Sequence, residues 1–321
     1  QGEYSQWRFG YGSGLDFNGE SSVVVKSSIQ SVETAASVAD CYGELLFYTD
    51  GETVWGSENS RMDGGFDLRG VGSSYPSSQG ALIVKRPNSP SIYYIFTASD
   101  IYGINYSIVN MQANGDQGKI IQKNINLSGS LTQKLGVTYH QNGKDIWVIT
   151  HYQNSNVYEC FLVTKTGVSP STIKSITGPK FTSSHGDIKF NQQGTKVGAV
   201  VQDQNLITLA DFNNSTGKVS NSYGIIGQYN NPHGCEFSPS GSKFYVTAWG
   251  TNGGVIQFKV SGSNSTTLSE NEVNISGAFK PSGSLQLAPN GKIYVAHEPG
   301  LLSTRSYLGI INFPEKNGSS A

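Results

Sequence analysis

The chain has 321 residues, with 22 Lys plus Arg against 23 Asp plus Glu and only 14 % charged residues. So balanced a charge excludes the basic footprint that nucleic-acid binding leaves and argues against an electrostatic membrane contact. Gly 39, Tyr 17 and Phe 14 beside Met 2 describe a turn-rich, aromatic-rich β protein, long enough for one large all-β domain or two smaller ones.

In chain order, residues 1–20 carry QWRFGYGSGLDFNG, whose Leu15–Gly19 end matches Ala210–Asn214 and reads as the third strand of a repeat. Ser21–Gln30 alternates and reads as an outer, fourth strand. The first full repeat starts near Glu33 with the hairpin Ser37–Tyr48, and the Asp50-Gly51 turn leads to a strand through Trp55. Residues 57–80 form the longest irregular stretch, with Arg61, Asp63, Asp67 and Arg69; a loop of that length in a compact repeat is functional or mobile. Further repeats start near Gln79, Lys134, His185, His233 and Ser282. Each opens with a hairpin: Ala81–Phe96, Val137–Ile149, Ile188–Val200, Cys235–Val246 and Leu285–Ala296. The turn glycines Gly143, Gly194, Gly241 and Gly291 fall about fifty residues apart, a period filled with strands and no helix.

These repeats predict an all-β fold, a β-propeller of six four-stranded blades over residues 1–317, with seven blades as the alternative. The sixth repeat lacks an outer strand, so the N-terminal strands are expected to join the C-terminal blade and close the ring. Residues 318–321 read as the start of a linker, and the chain as one module of a longer protein or assembly. No apolar run approaches the ~18 residues of a membrane helix. The start at Gln1 in place of Met suggests a processed, secreted protein. Three cysteines without close spacing give no disulfide framework and no zinc pattern; Cys160 and Cys235 read as buried free thiols. Seven N-x-S/T triplets are ordinary for so Asn- and Ser-rich a chain and carry no glycosylation inference.

Five of the six segments leading into an inner strand place Gly at its start, where backbone must approach closely near an axis. The residues before them converge in a propeller: Glu33, Gln79, Lys134, His185, His233 and Ser282, with Asp187 beside His185. Convergent polar groups at a concave spot define a candidate ligand site. The bland reading is that they bind water and satisfy backbone. His185, His233 and Glu33 have the chemistry of general acids and bases in a polysaccharide lyase or hydrolase. Two histidines without a third ligand make no metal site, and nothing implies a cofactor. Tyr48, Tyr93, Tyr94, Trp147 and Tyr245 lie on hairpin strands and are expected to pack between blades. Trp249, Tyr102 and Tyr152 fall just past strands, where exposed rings stack on sugars or a protein partner.

The motifs WRFGYGSGLDF, GELLFYTDGETVW, SSQGALIVKRP, YYIFTA, GKDIWVITH, EFSPSGSKFYV, LQLAPNGKIYVA and YLGIIN, in that order, resemble the propeller region of large secreted surface proteins of Bacteroidetes. Those proteins typically end in a gliding-motility-associated, type IX secretion sorting domain, which this sequence lacks. The resemblance spans nearly the whole chain and implies export and cell-surface residence, but no particular reaction. Together the readings give a non-catalytic module that binds glycan or protein in adhesion or surface assembly. The alternatives are the polysaccharide-active enzyme and a structural subunit of an extracellular assembly.

Overall fold

In the computed structural model, residues 2–31, 33–70, 78–129, 131–249, 253–260, 273–274, 283–296 and 308–321 are described. The chain divides into two compact units. The first is Gln1–Leu135 with Lys144–Ile146 and Leu162–Ser171; the second is Gly136–Gly143, Trp147–Phe161 and Thr172–Ala321. Three sheets lie in the first unit: β1 (Gln6–Phe9), β2 (Tyr11–Asp16) and β3 (Val23–Gln30); β4 (Ala36–Ala39), β5 (Leu45–Thr49) and β6 (Val54–Gly56); and β7 (Ala81–Lys85), β8 (Ile92–Ser99), β9 (Gly103–Asn110) and β10 (Lys119–Ser128).

The sheet of β11 (Gly136–Tyr139), β12 (Ile146–His151), β13 (Ser155–Thr164) and β14 (Gly167–Phe181) falls mostly in the second unit. That unit also holds β15 (Ile188–Phe190), β16 (Lys196–Val201), β17 (Leu206–Asn213) and β18 (Lys218–Ile226). Next come β19 (Cys235–Phe237), β20 (Lys243–Ala248), β21 (Gly254–Lys259) and β22 (Val273–Asn274), and last β23 (Leu285–Leu287), β24 (Ile293–Val295) and β25 (Gly309–Ile311). Every sheet is an antiparallel meander, strand next to strand in chain order, as the hairpin repeats predict.

The apolar pattern follows position in the sheet. Second strands such as IYYIFTAS of β8 and KFYVTA of β20 are buried almost throughout, and for β20 a neighbouring sheet covers each face. Outer strands such as β10 and β18 are polar and largely exposed. Sheets pack face to face. In the first unit, Val38, Phe47 and Val54 meet Tyr93, Ile95 and Val109. In the second, Val200, Ile207 and Leu209 meet Phe237, Phe244 and Phe258, while Tyr245 and Val255 meet Leu285, Ile293 and Val295. The aromatic residues expected between sheets, Tyr48, Tyr93, Tyr94, Trp147 and Tyr245, are all buried, as are Cys160 and Cys235, both free thiols. Burial pushes the Cys160 thiol well above its ordinary pKa.

The turn between first and second strands repeats one geometry. Gly143, Gly194, Gly241 and Gly291 all have positive φ, and each N–H donates to the carbonyl three residues earlier, at 2.8–2.9 Å. The period seen in the sequence is therefore a period of one left-handed turn position.

One expectation changes. The N-terminal strands, assigned to the C-terminal blade, pair with one another: Gly10, at φ 61°, reverses the chain between β1 and β2, and β3 pairs with β2. The described strands therefore form seven sheets, three of them three-stranded, where six four-stranded blades were expected. The described part of the 57–80 loop is hydrogen-bonded. Met62 N–H donates to Val54 O and Val54 N–H to Gly65 O, covering the open edge of β6. At the end of the chain, Gly318–Ser320 is a short 3-10 turn whose Gly318 N–H donates to Gln257 Oε1. Glu315 anchors the same tail. It accepts the Ser240 N–H (2.7 Å) and the hydroxyls of Ser240, Ser242 and Ser238, which hold its carboxyl below the usual range against the opposing effect of burial.

Across the second unit, the middle residues of β15, β19 and β23 form a polar row. Lys189 Nζ donates to Gln286 Oε1 (2.6 Å) and lies 3.7 Å from Glu236 Oε2, which also accepts the Leu287 N–H (3.1 Å). Burial raises the Glu236 carboxyl above its ordinary pKa; Lys189 and the two N–H donors, Leu287 and Phe237, offset only part of that, and Asp187 adds to the rise. A carboxyl raised in the folded state binds more protons folded than unfolded. Stability is then lost as pH rises from the unfolded value through the folded one, by about 1.4 kcal/mol for each tenfold difference in proton affinity. Glu236→Gln is expected to flatten the part of the stability profile that lies above the ordinary carboxyl value of 4.5, measured by urea unfolding across pH. Identical slopes in the two proteins would refute the assignment.

Candidate functional site

The lead-ins to the inner strands behave as the glycine pattern predicts. In the second unit, a Cβ on Gly186 would lie 2.5 Å from Val200 O, one on Gly234 2.6 Å from Gly283 O, and one on Gly283 2.7 Å from Ala296 Cβ. Backbone approaches too closely there for any side chain. Thr247, at the end of β20, ties neighbouring sheets together: its Oγ1 accepts the Gly234 N–H (2.9 Å) and donates to Gly283 O (2.8 Å).

Two predicted residues, His185 and His233, meet on one short element. After β16 the chain makes a 3-10 turn, Gln202–Gln204, ended by Asn205 in the left-handed region, a conformation Asn tolerates. Asp203 Oδ2 sits 3.1 Å from His185 Nδ1 and also accepts the Ser183 hydroxyl. Gln202 Oε1 sits 3.0 Å from His233 Nδ1, and its backbone N–H donates to His185 O (3.2 Å). Asp187, fully buried, donates its N–H to His233 O (3.0 Å). One turn thus fixes the rings of both histidines.

The same turn reaches Trp249. Asn205 Oδ1 accepts the Asn231 N–H (2.7 Å), and the adjoining Asn230 bridges to Trp249, whose backbone N–H donates to Asn230 O (2.9 Å). Trp249 is 37 % exposed and His185 is open to solvent, while His233 is nearly buried. The turn thus gathers a carboxylate, a carboxamide and two imidazoles, and exposed Trp249 is tied to it through backbone hydrogen bonds. No group of three or more His, Cys, Asp or Glu suited to a metal occurs among the described residues.

In the first unit, Glu33 is exposed, Gln79 half-buried and Lys134 fully buried. Their neighbours make the connections: Thr34 Oγ1 accepts the Gly80 N–H (3.0 Å), and buried Gln133 accepts the Ser78 N–H (3.1 Å) at Oε1. Ser282 lies outside the described residues. Sequence reasoning missed Gln202, Asp203, Asn205, Thr34, Gln133 and Thr247. One signal was present: Thr49, Thr97, Thr150 and Thr247 all stand at or near the end of a second strand, and all are fully buried.

No protein-family model and no curated protein matches the chain. Solved structures do. A "putative 6-phosphogluconolactonase" from Bacteroides uniformis is 12 % identical, with 92 % of this chain and 89 % of that one covered, at a TM-score of 0.54. A second protein with the same description, from Bacteroides fragilis, is 11 % identical over 91 % and 86 %, at 0.53. The β-propeller domain of Myceliophteria thermophila Cps50 (Swd1) is 11 % identical over 97 % of each chain, at 0.54. At these identities the likeness is one of fold, the β-propeller, and assigns no activity. No helix among the described residues is long and apolar enough to cross a membrane.

Proposed function

We propose that the chain is a secreted or cell-surface β-propeller module, without catalytic activity, whose rim in the second unit binds an extracellular glycan or a surface protein in adhesion or surface assembly. The observation that carries this reading is the linkage of exposed Trp249 to the Gln202–Asn205 turn that holds His185 and His233. An exposed aromatic residue tied to a turn of fixed planar acceptors and donors suits a sugar, whose C–H face stacks and whose hydroxyls both donate and accept. The resemblance to secreted Bacteroidetes surface proteins supports export. The face-to-face stacking of successive sheets, with inner strands neighbouring in the order β1, β4, β7 in the first unit and β11, β15, β19, β23 in the second, supports propeller-type packing within each unit.

Trp249→Ala is expected to weaken binding to the best-retained ligand of a glycan array by about tenfold or more, the usual cost of truncating an aromatic anchor. Asp203→Asn, which removes the charge that orients His185, is expected to weaken it less. Unchanged retention of Trp249→Ala would remove the rim from the binding account.

A further inference from the structure

The described part of the loop leaving β6 builds a surface on the first unit. It lies along β10, the outer strand of the next sheet: Asp63 bridges to Lys119, Ile120 N–H donates to Asp63 O (2.9 Å), and the Asp63 carboxylate pairs with Lys119 Nζ (2.9 Å). Further along, Lys123 Nζ donates to Phe66 O (2.7 Å) and Asn124 Nδ2 to Asp67 O (2.8 Å). Asn126 Nδ2 continues the line to Tyr102 O (3.4 Å). Loop and strand thus hold two rings outward, Phe66 at 42 % exposure and Tyr102 at 46 %.

Each ring carries cations. Arg61 stands 5.3 Å and Lys123 Nζ 4.0 Å from the Phe66 centroid, and Arg69 stands 5.1 Å from that of Tyr102. Asp63 is already taken by Lys119. Arg61, Arg69 and Lys123 make no ion pair among the described residues. These three cations, fixed on two exposed rings, form a basic strip, with exposed Asp67 next to Phe66 in the chain and exposed Asp100 two residues before Tyr102.

We propose that this strip binds an acidic polysaccharide, a polymer whose sugar rings bear carboxylates. The two guanidinium forks match carboxylates in geometry as well as charge. The rings offer flat apolar faces to sugar C–H groups, which an acidic peptide or a lipid headgroup supplies less well. The strip is independent of the rim at Trp249, and the two stand or fall separately.

Affinity electrophoresis in polygalacturonate, dextran and poly-glutamate, at low and at physiological salt, tests it. Wild-type protein is expected to be retarded by polygalacturonate, more weakly as salt rises, less by poly-glutamate and not by dextran. The double variant Arg61→Gln/Arg69→Gln, which keeps bulk and removes charge, is expected to lose about tenfold in affinity for polygalacturonate. Retardation unchanged in the double variant, equal retardation by dextran, or preference for poly-glutamate or anionic vesicles would each overturn the assignment.

Discussion

Replacing Phe244 by Ala is expected to destabilise the protein by about 3–5 kcal/mol, the range for removing a buried aromatic ring from a core that relaxes only in part. Phe244 stands on β20 and is fully buried among Val200, Leu209, Phe237, Val246 and Phe258. Its ring presses on Gly198 of the neighbouring sheet so closely that a Cβ there would overlap it. The second strand of one sheet thus fills the space left by a glycine in the next. Urea unfolding followed by tryptophan fluorescence measures the loss. Phe244→Leu, which keeps part of the volume, is expected to cost less. A loss below about 1 kcal/mol for Phe244→Ala would mean that these two sheets do not pack as described.

The second large effect is expected at Gly186. It has φ +102°, and a methyl added there would lie 2.5 Å from Val200 O. Alanine combines a strained backbone with overlap against backbone that cannot move aside, about 2–4 kcal/mol together. Gly291→Ala is the matched control: its φ is also positive, at +76°, but a Cβ would meet nothing within 4 Å, so only about 1–2 kcal/mol of conformational cost is expected. The difference between the two variants measures the closeness of the inner-strand lead-in. Equal losses would show that left-handed geometry alone, and not crowding, selects glycine at that point.

Legibility in the sequence followed the range of the interaction. Hairpins, turn glycines and largely apolar second strands are local features, and they are where the pattern places them. Gly186, Gly234 and Gly283 were also legible, because absence of a side chain is itself the signal. The N-terminal sheet was not: Gly10 lies in a run of alternating Gly and aromatic residues that reads equally well as one strand or as two. The Gln202–Asn205 turn was opaque for another reason. QDQN resembles every other polar turn in the chain, and its role depends on partners 18 to 31 residues away in His185 and His233. The pairing of the 57–70 loop with β10 spans 57 residues at Lys123 and Phe66 and leaves no periodic trace. His185 and His233 stand out in the sequence because each precedes an inner-strand glycine; the groups that orient them do not.

Whether the rim binds or reacts is decided by one assay. Wild-type protein and His185→Ala are incubated with a panel of extracellular polysaccharides, including those retained on the array, and new chain ends are quantified over time. The account predicts that at least one polysaccharide is bound and that neither protein releases products from any. Product formed by wild type and abolished in His185→Ala would contradict it and make the Asp203–His185 pair part of a catalytic site.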